Sequence, residues 1–286
     1  MAQLPSIIDD DYVIRKSMSP LTFNKTYVDK DAILSIEPGV VLEGNKLEID
    51  GTLILIGKEK DSIKIKIKHL QSNDKIVAKY CIFDHTKLDV RGFEKGSGEF
   101  KNCIFSNSQF DNSCKTLTCD DNLFLKTNVA SRNGMATYKD NFFNHSAFYI
   151  KEFGAATIER NQFRNVSYNT IYIDRGSVAG AIITIRNNHF ELDSLFKNNH
   201  NHCIAIQAEF AYASERTVVI ENNIIKNYNK AFALELNYNG TYVIEKSHFV
   251  VTKNQVEGCD ILLSIDPDLG CRLGDFVVKN NRFSNF

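Results

Sequence analysis

Lys151, Asp174, Gln207, Glu235 and Asp266 each stand one residue after an apolar position that closes a short alternating segment: Ile150, Ile173, Ile206, Leu234 and Ile265. Alternation of this kind puts successive side chains on opposite faces of a strand. With the isoleucines and the leucine inward, the five polar residues form one outward column. Glu235 and Asp266 then lie about 5 Å apart on neighbouring strands, and Asp174 lies roughly twice that distance from Glu235. Two carboxylates near that separation can act as acid and nucleophile on a glycosidic bond, whereas wider pairs hold a water between them. A lyase would need a base and a cationic partner for a uronate carboxylate, roles that Lys151 and Arg175 could fill. One step earlier, Tyr149 and Tyr172 share a face. With Gln207, Glu209, Tyr212 and Tyr238 they make up the candidate sugar-binding side chains. Like charges on adjacent strands repel, so the acidic column could also take a divalent cation such as Ca2+. No other cofactor is expected. The competing reading is a solvated polar face, which every outward strand needs.

The elements that would position this column are set by a repeated phrase, a short apolar strand followed by Asn, one residue and Phe. It reads Phe100-Lys101-Asn102-Cys103-Ile104-Phe105, Cys119-Asp120-Asp121-Asn122-Leu123-Phe124 and Tyr138-Lys139-Asp140-Asn141-Phe142-Phe143. It returns as Ile158-Glu159-Arg160-Asn161-Gln162-Phe163, Ile185-Arg186-Asn187-Asn188-His189-Phe190 and Ile220-Glu221-Asn222-Asn223-Ile224-Ile225, with weaker copies ending at Phe83, Phe249 and Phe283. A repeat of about 19 to 35 residues marks a solenoid. The units carry strand signals and no helical period, and Pro is confined to four positions, which leaves the strands free to donate hydrogen bonds. Stacked in register, such units place like over like. The Phe becomes an internal aromatic stack, and the Asn an internal row of amides at a tight turn whose left-handed backbone angles Asn tolerates. Leucine-rich repeats would show closely spaced Leu before the Asn and a helical stretch between, and neither is present.

The start of the chain gives the same architecture independently. Asp31-Ala32-Ile33-Leu34-Ser35-Ile36-Glu37-Pro38-Gly39-Val40-Val41 leads into Leu47-Glu48-Ile49-Asp50-Gly51-Thr52-Leu53-Ile54-Leu55-Ile56-Gly57. This resembles the opening coils of right-handed parallel β-helix proteins, the superfold that includes pectate-lyase-like enzymes, viral tailspike-like proteins and bacterial surface β-helices. The resemblance implies an all-β, single-stranded parallel β-helix of roughly eleven or twelve coils over residues 26–286, behind an N-terminal capping segment at 1–25. It says little about activity, because the superfold hosts many.

Bulk properties narrow the rest. A net charge of −1 gives no general reason to bind nucleic acid or an anionic membrane. No apolar run is long enough to span a bilayer, and no secretory signal is visible. The seven cysteines sit at no zinc-ligand spacing. Cys81 and Cys103 occupy one place in successive repeats and read as buried thiols outside any disulfide. Loops 176–181, 195–203, 208–216, 253–260 and 267–275 lie beside the outward column and could wall a groove. The expectation is an elongated rod, extracellular or on a virion surface, that recognises a polysaccharide or cell-surface glycan without catalysis. Its alternatives are a polysaccharide lyase or glycoside hydrolase using the acidic column, and a structural spacer. The apolar last coil, ending at Phe286, also suits homo-oligomerisation.

Overall fold

Each repeat turns at a residue whose backbone is left-handed. In the computed structural model, Asn102, Asp121, Asp140, Arg160, Asn187, Asn222 and Lys253 have φ between 53° and 57°. The buried Asn of the repeated phrase stands one position later and is not left-handed itself. The two tasks expected of one Asn are thus divided between neighbours. The first takes the steric strain of the corner, and the second turns its amide inward. The structure describes residues 3–132, 134–151, 155–166, 168–173, 180–197, 201–207, 216–235, 247–266 and 275–284. The chain divides into two compact units, 1–129 and 130–286.

In the first unit the opening strands Tyr12–Ile14, Ile33–Ile36, Thr52–Ile56, Lys75–Lys79, Ser97–Lys101 and Thr116–Asp120 pair in parallel, each with the next. The segment read as a cap contributes Tyr12–Ile14 to this row, and Ile7–Ile8 and the start of Leu21–Val28 to the other sheet. A second row carries the rest of each coil. Leu21–Val28, Val41–Ile49 and Ile63–Ser72 are long strands that run through the middle and the end of their coils. Later coils break that course into two pieces, such as Cys81–Asp84 with Lys87–Val90, and Ile104–Ser106 with Gln109–Asn112. The core is apolar and ordered: Phe83, Phe105 and Phe124 stack at centroid spacings of 4.8 Å. Phe100 and Phe110 meet Phe105 edge-on, the geometry aromatic quadrupoles prefer beside stacking.

In the second unit the opening strands are Met135–Lys139, Ala155–Glu159, Ala181–Arg186, Arg216–Glu221, Ser247–Thr252 and Asp275–Lys279, again all parallel. Among the described residues the opening strands number twelve across the two units, within the expected count of coils. No α-helix occurs among the described residues, and the fold is a parallel β-helix. Phe143, Phe163 and Phe190 continue the stacked pattern at 4.5 and 4.8 Å, and Ile225 and Val256 take the same position in later coils.

The interior amides account for the backbone at the corners. The backbone N–H and the side-chain amide of Asn161 both donate to Asn188 Oδ1, at 2.9 and 3.0 Å. Asn188 donates in the same way to Asn223, Asn223 to Asn254, and Asn254 to Asn281. Each Nδ2 also donates to a strand carbonyl, Tyr138 for Asn161 and Ile158 for Asn188. Where the first unit replaces Asn by Cys, the thiol keeps the carbonyl contact. Asn122 Nδ2 reaches Phe100 O at 3.0 Å, Cys103 Sγ reaches Ala78 O at 3.4 Å, and Cys81 Sγ reaches Leu55 O at 3.4 Å. Those three carbonyls lie in one register row. The thiol keeps that contact but gives up the amide oxygen that would accept from the preceding coil.

Two predictions follow from this interior. Asn188→Ala strips partners from a buried N–H, a buried amide and a buried carbonyl. It should cost about 3 kcal/mol, the upper end for a buried polar group left unpaired, read from the denaturant midpoint against an exposed control such as Asn45→Ala. Second, Cys81, Cys103, Cys114, Cys203 and Cys259 are buried and outside disulfides. Burial pushes the Cys114 and Cys259 thiols up to about 11, so at pH 8 almost no thiolate is present to react. In a Cys271→Ser variant, a disulfide-exchange reagent at pH 8 should label these sites only as fast as the protein unfolds. Immediate labelling in the native state would show that the interior is open.

Candidate functional site

The outward column of the second unit sits on the strands that close its coils. Phe148–Lys151 pairs with Asn169–Ile173 so that Tyr149 faces Tyr172 and Ile150 faces Ile173. Ile150, Ile173 and Ile206 are buried, as alternation requires. The Tyr149 and Tyr172 rings stand 6.2 Å apart at 68°, and Lys151 Nζ lies 5.4 Å from the Tyr149 ring centroid. Further along, the register runs Gln207 to Glu235 to Asp266, one strand apart at each step. Backbone pairing therefore puts Glu235 and Asp266 on adjacent strands about 4.8 Å apart. Asp174, Arg175, Glu209, Tyr212 and Tyr238 lie outside the described residues, as do the side chains of Gln207, Glu235 and Asp266. In the row of the tyrosines the register continues through Ala205, Ala233 and Ser264. The aromatic surface is thus two residues wide and gives way to small side chains, of which Ala205 and Ala233 are buried.

One expected wall is visible in part. The 3-10 turn Ser194–Phe196 leads into Lys197, whose ammonium reaches Gly258 O at 3.0 Å and Asp260 Oδ1 at 2.6 Å. The Phe196 ring meets His145 edge-on at 5.6 Å. The Lys197 ammonium, with the Asn229 amide second, holds the Asp260 carboxyl below the usual carboxylate range. Loops 195–203 and 253–260 are thereby tied together across sequence-distant coils.

The corresponding face of the first unit carries a denser polar network, which the sequence reading missed. Three outward rows run across it. The first aligns Lys25, Lys46, His69, Lys87 and Gln109, and the second Tyr27, Glu48, Gln71, Asp89 and Asp111. The third, just past the strand ends, contains Asp50, Asn73 and Arg91. Tyr27 donates to Asp50 at 2.7 Å, Asn73 donates to the other Asp50 oxygen at 2.5 Å, and Gln71 donates to Asn73 at 2.9 Å. The bond to Asp50 pushes the Tyr27 phenol up to about 12, so it stays protonated at neutral pH. Asp89 is the hub. Its Oδ2 lies 2.8 Å from His69 Nε2, 2.9 Å from an Arg91 nitrogen and 3.8 Å from Lys87 Nζ. Although Asp89 belongs to an outward row, these groups leave its side chain only 4% exposed.

A separate shallow cleft of about 360 Å³ lies on the opening strands of the same unit, lined by Lys75, Val77, Ser97, Glu99, Thr116 and Thr118 among others. Both acids there are paired, Glu99 with Lys79 at 2.8 Å and Asp120 with Lys101 at 2.9 Å. That pattern is one of ordinary surface ion pairing.

No protein-family model matches the sequence, and no curated relative matches it. Among solved structures, the periplasmic alginate epimerase AlgG aligns at 12% identity over 93% of this chain and 78% of its own, with a TM-score of 0.35. A likeness at that level does not bear on what this chain binds or does.

The Lys197–Asp260 tie is open to test. A carboxyl held low contributes stability that is complete above its ordinary value and lost as pH falls through the lowered one. At neutral pH, Asp260→Asn should release the Ser194–Lys197 segment and speed tryptic cleavage after Lys197 severalfold. An unchanged cleavage rate would mean that Gly258 O alone holds the lysine.

Proposed function

We propose that this β-helix recognises a polysaccharide or cell-surface glycan along the outward face of the strands that close its coils, as an element acting outside the cell or on a virion surface. One observation carries the reading: Tyr149 and Tyr172 lie on paired strands with Lys151 over the Tyr149 ring. Aromatic faces next to a cation and a row of hydrogen-bonding side chains suit the alternating apolar and hydroxyl-bearing surface of a sugar ring. A solenoid supports this role because adjacent coils repeat the face at a fixed spacing, so that a repeating polymer can be followed over several units.

A second reading, a lyase or hydrolase, is favoured by the pairing of Glu235 with Asp266. It assigns catalysis to Asp174, Glu235 and Asp266 with Arg175 or Lys151, and leaves space for a divalent cation such as Ca2+ at the acids. A spacer role needs neither face. Self-association fits the coil at Asp275–Ser284, where Val277, Val278 and Phe283 are 37–43% exposed.

The test is a glycan panel of neutral and acidic polysaccharides, scored for both binding and cleavage. Tyr149→Ala with Tyr172→Ala should weaken binding by about tenfold or more, the order expected when two aromatic contacts worth 0.5–1.5 kcal/mol each are removed. Glu235→Gln with Asp266→Asn should leave binding near wild type if the face only recognises, and should abolish cleavage if it reacts. Absence of binding to every glycan would leave the spacer role.

A further inference from the structure

On the first unit, His69 has the surroundings of a positioned base. Its Nε2 bonds a carboxylate that is almost fully buried, and Arg91 and Lys87 hold that carboxylate in turn. When Asp89 accepts from Nε2–H, the neutral imidazole carries its lone pair on Nδ1. Nδ1 makes no hydrogen bond to the described residues, and the side chain is 29% exposed. This is base-plus-orienter logic, in which a fixed acceptor sets both the tautomer and the angle of the ring.

The neighbours of His69 indicate which proton it takes. Register places Lys46 on one side and Lys87 on the other, each about 4.8 Å away by strand spacing. The Lys46 ammonium is paired with Glu48 at 2.8 Å and that of Lys87 lies 3.8 Å from Asp89; with side chains 36% and 44% exposed, each would share its charge between that acid and a ligand carboxylate. No Ser, Thr or Cys stands beside His69 in its outward row among the described residues, which disfavours transfer through a covalent nucleophile. A base between two ammonium groups suits removal of a proton from carbon next to a carboxylate, where the developing charge needs a cation.

We infer that His69, oriented by Asp89 and flanked by Lys46 and Lys87, is an acid–base centre that deprotonates the carboxylate-bearing ring carbon of a uronic-acid polysaccharide. The substrate class rests on the glycan reading above, whereas the site is a different one. In the step, the C–H bond breaks, the proton passes to Nδ1, and the electron pair spreads onto the substrate carboxylate beside the two ammonium groups. The pair then either retakes a proton from His69 or expels the oxygen on the adjacent ring carbon, which takes that proton and leaves as an alcohol. Both courses balance without a redox partner. His69 is the catalytic residue and Asp89 a positioning residue.

The experiment uses the full chain with polygalacturonate and with alginate in D2O. Bound polymer is followed by co-sedimentation, deuterium at the acidic carbon by NMR, and unsaturated uronate by ultraviolet absorbance. Wild type should give deuterium or unsaturated product. His69→Gln, a change at a partly exposed position, should lower the rate by roughly 10²- to 10⁴-fold, the range of a general base, with binding retained. Asp89→Asn should lower kcat by at least about tenfold with little change in KM, a split that mere loosening of the fold would not give. Binding with neither deuterium nor unsaturated product overturns the acid–base centre and leaves glycan recognition standing. No binding to either polymer, with no product, overturns both. Exchange that survives His69→Gln removes the assignment to His69.

Discussion

Everything else in this molecule depends on register, the requirement that each coil lie on the last with like over like. Parallel pairing alone does not enforce it, because parallel strands can slip. A slip by one residue would turn every core side chain outward. The corner fixes the register instead. A left-handed residue such as Asn187 turns the chain, and the Asn after it closes hydrogen bonds to the amide above and to a strand carbonyl below. Those bonds can be made only when the coils are aligned, and a buried amide without them is costly. The phenylalanine two residues on then falls over its counterpart. The aromatic stack is therefore a consequence of the corner as much as a support for it.

Fixing the interior leaves the outward rows free. The core faces of Ile150 and Ile173 are dictated by packing, while their neighbours Lys151 and Tyr172 lie on the outer face, where both meet Tyr149. Rows of outward residues at one strand spacing let a short motif be assembled from positions about twenty residues apart. Both candidate sites are built in this way, on the strands that close the coils. In the second unit the row offers two aromatic rings and then small side chains. In the first it offers a linked set of carboxylates, amides and an imidazole.

How much of this the sequence revealed follows from where its signals lie. The Asn-x-Phe phrase is local, so the parallel β-helix, the stacked Phe83–Phe105–Phe124 column and the kinship of Cys81 and Cys103 could all be read from short windows. The left-handed residue was misplaced by one position, because Asn often occupies both places, as in Asn187-Asn188. The His69–Asp89 pair gave no such sign. It lies where the early coils lack the phrase, and in Ile63–Ser72 an Ile-Lys alternation over residues 63–68 runs straight on into His69-Leu70-Gln71, which hides where one strand role ends and the next begins. Its members are 20 residues apart and belong to different outward rows. Aligning Lys87-Leu88-Asp89 beneath His69-Leu70-Gln71 would have exposed the pair, and that alignment needs only the central Leu to be recognised as inward.

The network around Asp89 is hard to account for by stability alone. A charged group removed from water is held at a cost that its partners roughly offset, and apolar replacements of such groups are often neutral or favourable. An outward row on a β-helix has no need to bury a carboxylate, as Glu48 and Asp111 in the same row show by remaining half-buried. Here the chain orders His69, Lys87 and Arg91 over one oxygen of Asp89 and forgoes the side-chain entropy of each. What that ordering yields is a fixed imidazole with one nitrogen facing away from its anchor, between two lysines that the strand spacing keeps apart. Rigid placement of a reactive group on a sheet is worth little to folding, but it is the main requirement of a site that must meet its substrate in one geometry.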